Sequence, residues 1–212
     1  MKGPKVTHCG PVKGILWYWI ARVYFLIFRG WTVVDQIPQH KKTVFIAGPH
    51  TSNWDMPFMV AAAAILRVQI SWMGKDSLFK FPFGWFMRLL GGTPVDRSSP
   101  QGLVAQAADI LTSKERFFFA VPASGTRKRK EYWKSGFYHI ALAANVPITC
   151  GYLDFAKREA GLGLSFVPTG DISADMDRIR AFYKDIQGKY PEKTSRVRLR
   201  IEDKSPPEES ST

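Results

Sequence analysis

His50 and Asp55 stand five positions apart in the stretch GPHTSNWDMPF (48–58), where an apolar run gives way to a polar loop. At that spacing a carboxylate can accept a hydrogen bond from one imidazole nitrogen, fixing the tautomer whose other nitrogen takes up a proton. Such a pair makes two members of a triad and leaves the attacking hydroxyl to a substrate. The competing reading is structural: Asp55 or Asn53 caps the next helix, and His50 is an ordinary loop residue. Ser52 lies two residues from His50 with no nucleophile-elbow glycines around it, so it reads as a loop hydrogen-bonder and not as a hydrolase nucleophile.

Three more stretches put a cation near a glycine at a strand end. MGKDSLFK places Lys75 at the close of a predicted strand, GGTPVDR places Arg97 after Gly91 and Gly92, and SGTRKRKEYWK places Arg127 just past Gly125 and Thr126. Glycine lets backbone approach an anion closely, and a guanidinium grips phosphate through two parallel hydrogen bonds. Taken singly, each stretch also reads as a solvated basic loop.

The elements that must position these groups alternate along the chain. TVFIAG (43–48) has the β-branched character of a strand and MPFMVAAAAIL (56–66) the length of a helix, so His50 falls just past a strand and Asp55 at a helix start. VQISWMG (68–74) reads as a second strand and GGTPV (91–95) as a turn with a short strand. A helix begins at Ser98 or Ser99 and runs to about Ser113; RFFFAVP (116–122), SGFYHIALAAN (135–145) and PITCGYLDF (147–155) continue as strand, helix and strand. A hairpin-like stretch at GLGLSFVPTG (161–170) precedes a helix capped by Ser173, with Met176, Ile179, Phe182 and Ile186 at helical spacing. RVRLRI (196–201) alternates as a last strand. Strands alternating with helices predict an α/β fold, its sheet covered on both faces and its active groups in loops at strand ends.

With 212 residues and 45% hydrophobic content the chain can bury one sizeable core. Its divisions are expected at 1–34 for an aromatic, cationic segment, 35–202 for the α/β domain and 203–212 for a disordered tail, DKSPPEESST. Cys9 and Cys150 are too few for a disulfide framework or a metal site, and no cluster has metal-ligand spacing. The net charge of +12 predicts an anionic partner. PVKGILWYWIARVYFLIFRGW (11–31) interleaves Lys13, Arg22 and Arg29 with aromatic rings and is interrupted by Arg22 too early to span a bilayer. It reads as an amphipathic helix lying in an anionic lipid interface, with a buried helix of a soluble domain as the alternative. The basic run TRKRKEYWK belongs to no recognisable nucleic-acid module, so nucleic acid is not expected as a partner.

The order and spacing of these stretches resemble the glycerophospholipid acyltransferases of the lysophosphatidate acyltransferase group, over roughly residues 12–155. The H-x4-D motif of that family matches His50 and Asp55, its glycine-to-arginine motif matches Gly92 and Arg97, and its E-G-T-R motif is met in part by Ser124, Gly125, Thr126 and Arg127. Its fourth motif matches Val146, Pro147 and Ile148, and Lys75 corresponds to a phosphate-contacting lysine. The resemblance implies a single α/β domain with a mixed sheet flanked by helices, in a peripheral or monotopic protein on the cytoplasmic face of a membrane. It implies transfer of a fatty acyl group from acyl-CoA or acyl carrier protein to the free hydroxyl of a lysophosphatidate-like acceptor. No cofactor and no metal are expected; His50 is the general base, Asp55 orients it, and Lys75, Arg97 and Arg127 hold the phosphate, with Ser52, Gly92, Ser124, Gly125 and Thr126 in support.

One departure bears on function. The family has proline and glutamate before G-T-R, where this chain has Ala123 and Ser124. Two alternatives follow: the same chemistry on another hydroxylated lipid, or a catalytically weak lipid-binding relative.

Overall fold

The structure, a computed structural model, describes residues 15–28, 30–34, 40–68, 70–89, 91–95 and 100–204. Helix α1 (Ile15–Ile27) leads to strand β1 (Thr32–Val34) and then β2 (Lys42–Gly48), α2 (Asp55–Leu66) and β3 (Ile70–Lys75). A 3-10 turn at Asp76–Phe79 and the short helix α3 (Gly84–Leu89) precede β4 (Gly92–Val95), α4 (Pro100–Ser113), β5 (Phe117–Val121) and α5 (Gly136–Ala143). The chain continues through β6 (Ile148–Asp154), β7 (Glu159–Phe166) and α6 (Ile172–Tyr183), with 3-10 turns at Pro191–Lys193 and Arg200–Lys204.

The seven strands form one mixed sheet in the order β1-β7-β6-β2-β5-β3-β4. Strands β2 to β6 run parallel to their neighbours, β7 turns back antiparallel on β6, and β1 pairs parallel with β7. Alternating side chains serve two cores, as a sheet covered on both faces requires. Val44, Ile46, Phe117 and Phe119 face the cluster built with Leu111 of α4, Phe137 and Ile140 of α5, and Met176 and Ile179 of α6. Phe45, Phe118 and Ala120 face the opposite side, with Leu66 and Val68. Helix α2 is buried at Ala61, Ala62, Ala63 and Ala64; small side chains let it lie close against its neighbours, with Phe25 of α1 and Trp31 packed on Phe58.

Helix α1 docks on α2 through Ala21 and Phe25, with Leu16, Trp17, Trp19, Ile20, Val23, Leu26 and Ile27 exposed. No helix among the described residues is long and apolar enough to cross a membrane.

Several expectations need correction. RVRLRI (196–201) forms no strand: Leu199 makes an isolated bridge to Trp133, and Arg200 opens a 3-10 turn. The alternation was real but reported burial alone, since Leu199 is fully buried and Val197 and Ile201 pack on the core. The cap of α6 is Asp171, whose side chain accepts from the Ala174 N–H, and not Ser173. Ile186 lies beyond the end of that helix yet still packs on the core. His139 on α5 is exposed. Of the expected tail, Asp203 and Lys204 close the last 3-10 turn, and 205–212 lie outside the described residues, as do Ser98, Ser99 and most of the segment before α1. Strand β1 and helix α3 had no counterpart in the sequence reading.

Two measurements test the packing. Tyr183 donates to the Ile46 carbonyl at 3.0 Å and reaches the Gly151 carbonyl at 2.8 Å, tying β2 to β6. Tyr183→Phe leaves both carbonyls without this donor and is expected to cost about 1–3 kcal/mol in urea unfolding. Burial pushes the Cys150 thiol up to about 12, so it is neutral at about pH 8, where a free cysteine is partly thiolate. In a Cys9→Ser background, alkylation of Cys150 should wait on unfolding and follow the urea transition.

Candidate active site

The parallel strands β2, β5, β3 and β4 end on one edge of the sheet, at Gly48, Val121, Lys75 and Val95. Every sequence-predicted site residue except Gly92 follows or closes one of these ends. His50, Ser52 and Asp55 follow β2; Ser124 to Arg127 follow β5; Lys75 closes β3 two strands away from β2, about 10 Å across the sheet. Arg97 lies outside the described residues, two positions past the end of β4. Gly92 opens β4 at the opposite edge. A Cβ there would come within 2.7 Å of the Met87 carbonyl and 2.8 Å of the Phe79 ring, so its small size serves packing.

The loop after β2 is organised by one carboxylate oxygen. Asp55 Oδ2 accepts from the backbone N–H of Thr51 and of Ser52, both at 2.9 Å, and from His50 Nδ1 at 2.9 Å. The residue before α2, Trp54, makes no side-chain cap. Asp55 therefore closes the loop that leads into its own helix and holds the imidazole at once; neither it nor Asn53 caps α2, which corrects the capping reading of the sequence. Because a carboxylate only accepts, Nδ1 carries the proton and Nε2 is the nitrogen left with a lone pair. Asp55 is buried, while the imidazole keeps about a quarter of its side chain exposed. Ser52 Oγ accepts from the Trp54 N–H at 3.1 Å, the loop role its sequence context suggested.

Two cations stand against this loop, Arg127 and Lys189. Arg127 donates from Nη1 to the Asn53 side-chain oxygen, which places the SGTR turn against the His50 loop. That bond goes to a neutral amide. Ser124 is buried, and its hydroxyl donates to the Thr126 carbonyl at 2.8 Å, inside its own turn. Gly125 takes a φ of +64°, which favours glycine, and the Lys134 side chain crosses it so closely that a Cβ would lie 2.7 Å from Cε. Lys189 stands 4.8 Å over the Trp54 ring. Among the described residues no cluster of three or more His, Cys, Asp or Glu is placed to hold a metal.

Sequence reasoning missed the segment after α6. Residues 186–199 cross the site edge and tie its two loops together. Tyr190 donates its N–H to Thr51 Oγ1 at 3.3 Å, and the Gly188 backbone passes so close that a Cβ would meet Thr51 Oγ1 at 2.7 Å. Farther along, the Lys130 N–H donates to Ser195 Oγ at 3.0 Å and the Trp133 N–H to the Arg198 carbonyl at 2.7 Å. A cavity of about 30 Å³, room for one water, lies between this strap, His50 and Ser124. Glycine and lysine at 188 and 189 gave no periodic signal.

A family model described as Acyltransferase matches residues 31–152. The chain is 32% identical over 116 residues to a 1-acyl-sn-glycerol-3-phosphate acyltransferase of Streptococcus pneumoniae, covering 54% of this chain and 42% of that protein. It is 30% identical over 145 residues to the Haemophilus influenzae protein of the same description, covering 64% and 58%. The chain spans about half the length of the curated relatives it matches. The crystal structure of the 1-acyl-sn-glycerophosphate acyltransferase PlsC from Thermotoga maritima superposes with a TM-score of 0.53 at 17% identity, over 80% of this chain and 75% of that one. At that identity the likeness speaks for the fold alone.

The loop geometry makes a stability prediction. Asp55→Ala strips an acceptor from three donors and should cost about 2–4 kcal/mol in urea unfolding, whereas Asp55→Asn, which keeps one oxygen acceptor, should cost markedly less.

Proposed function

Because the chain belongs to the acyltransferase family, we propose that it transfers a fatty acyl group from a thioester donor to the free hydroxyl of a lysophosphatidate-like acceptor. The observation that carries this reading is the His50–Asp55 contact at 2.9 Å, in a loop that Arg127 touches through Asn53. In the proposed step His50 Nε2 removes the proton of the acceptor hydroxyl as its oxygen attacks the thioester carbonyl. Asp55 holds the ring and stabilises the imidazolium that forms. Collapse of the tetrahedral intermediate breaks the carbon–sulfur bond, and the thiolate leaves with the proton returned from His50. The products are the acylated lipid and free thiol.

Arg127 and Lys75, with Arg97 as a third, are assigned to the acceptor phosphate. Holding one anion at several points fixes the hydroxyl, and in a two-substrate reaction orientation supplies much of the rate. Acyl-CoA or acyl carrier protein is the donor class; no cofactor enters. The apolar outer side of α1, with Arg22 exposed on it, supports placing the site edge at an anionic membrane surface; the cytoplasmic face is the side this reading assigns.

Ser124 favours a second reading, in which the same chemistry serves another hydroxylated lipid or runs weakly. Its hydroxyl is engaged within the turn and it brings no carboxylate to Arg127.

The test is release of free thiol from long-chain acyl-CoA, and from acyl carrier protein, with and without lysophosphatidate in detergent. Acceptor-dependent release is expected from the native protein and should fall by at least roughly a hundredfold in His50→Ala. If folded native protein gives no acceptor-dependent release from either donor, the primary reading is wrong.

A further inference from the structure

Between β3 and β4 the chain presents an apolar ridge that no part of the acyl-transfer reading uses. Phe81 is 97% exposed, Phe83 and Trp85 68% each, Leu78 49%, Leu89 43% and Phe86 41%. Single exposed apolar residues are ordinary; six large ones within twelve positions mark a surface made for contact.

The ridge is built and not merely loose. Phe79 is buried and packs its ring on Trp72 at 5.8 Å. The backbone of Gly84 is pressed against it, since a Cβ there would stand 1.9 Å from the Phe79 carbonyl oxygen. Arg88 spans the turn, donating to the Phe79 carbonyl at 3.3 Å and lying 5.5 Å over the Phe79 ring. The Gly84 N–H donates to the Lys80 carbonyl at 2.9 Å and the Met87 N–H to the Phe83 carbonyl at 3.1 Å. One aromatic side chain is thus spent as an anchor, and its neighbours are held outward.

Charge and topology identify what covers the ridge. Residues 77–89 contain no acidic side chain, and Lys80 is exposed among the rings. Crossovers between parallel strands are right-handed. The connections β2-α2-β3 and β3-α3-β4 both step toward the same end of the sheet, so α3 lies on the face that carries α1 and α2. The outward side of α1, with Trp17, Trp19, Leu26 and Ile27 exposed, therefore shares a face with the ridge, one at each end of the sheet. Two apolar patches on one face, interleaved with cations and separated by the width of the sheet, fit an extended anionic plane. A compact protein partner offers no such reach.

We infer that the Leu78–Leu89 ridge is a second lipid-contact surface, inserting Phe81, Phe83 and Trp85 into an anionic bilayer interface and, together with α1, fixing the tilt of the site edge over the membrane. A single contact leaves a molecule free to rock about it. This inference concerns membrane docking and stands or falls separately from the acyl-transfer reading.

The test uses the full chain and a Phe81→Ser, Phe83→Ser, Trp85→Ser triple variant, whose circular dichroism and urea midpoint are compared first, since all three side chains are exposed. Flotation with phosphatidylcholine vesicles containing phosphatidylglycerol should show the native protein bound and the variant needing at least about tenfold more lipid for half-binding. Thiol release in detergent micelles should be unchanged between them. Equal vesicle binding by the two proteins overturns the inference. So does a native dimer in size-exclusion chromatography that the triple variant converts to monomer without loss of vesicle binding, which would make the ridge a contact between copies. Trp85→Ser alone, with a smaller loss in the same direction and less quenching by brominated lipid than the native protein, guards against an effect of the triple change on folding.

Discussion

One carboxylate oxygen holds the site edge together. Asp55 Oδ2 gathers two backbone donors and an imidazole, and each needs the others. A buried carboxylate is costly unless it is hydrogen-bonded, and the N–H groups of a tight loop are costly unless they find an acceptor. The histidine is the member of this closed set with an exposed edge. Its orientation is therefore a by-product of the way the loop solves its own hydrogen-bonding problem, and the helix α2 behind it, buried through a run of alanines, keeps the solution rigid.

The electrostatics complement that geometry. The carboxylate on the imidazole is buried, and Arg127 and Lys189 stand against the same loop. Arg127 donates to an amide oxygen and Lys189 rests on a ring. Among the described residues neither cation is paired with a carboxylate, so the charge of each is left unneutralised by an ion pair. The strap from 186 to 199 holds the two loops that carry these groups in register, which makes the spacing between imidazole and guanidinium a property of the folded carboxy-terminal segment as much as of the motifs themselves.

Much of the architecture was legible because its signals are strong and local. The central strands read as β-branched or aromatic runs with a helix-length segment between each, and the structure keeps β2, β5, β6, α2, α4 and α5 close to where the residues pointed. The His50–Asp55 pair was legible as a spacing and the structure turns it into a contact. What escaped had no period to betray it. The β1 strand is three residues long and pairs with a partner far along the chain; α3 is a single short helix whose aromatic residues look like core in sequence and stand in solvent in the structure. RVRLRI misled for the opposite reason, since its alternation is that of a buried, extended edge with a single bridge to Trp133. The Gly91–Gly92 pair was placed beside the anion site by proximity in sequence, whereas a whole strand separates it from that edge.

Gly188 carries a consequence for how such a protein can drift. It has no chemistry and stands far from His50 in sequence, yet any side chain there meets the threonine that follows the histidine. Any side chain at 188 would thus push on the loop that carries His50, through steric exclusion alone. A lineage that keeps every motif residue but lets this glycine mutate would shift the His50 loop while appearing intact to any motif-based comparison.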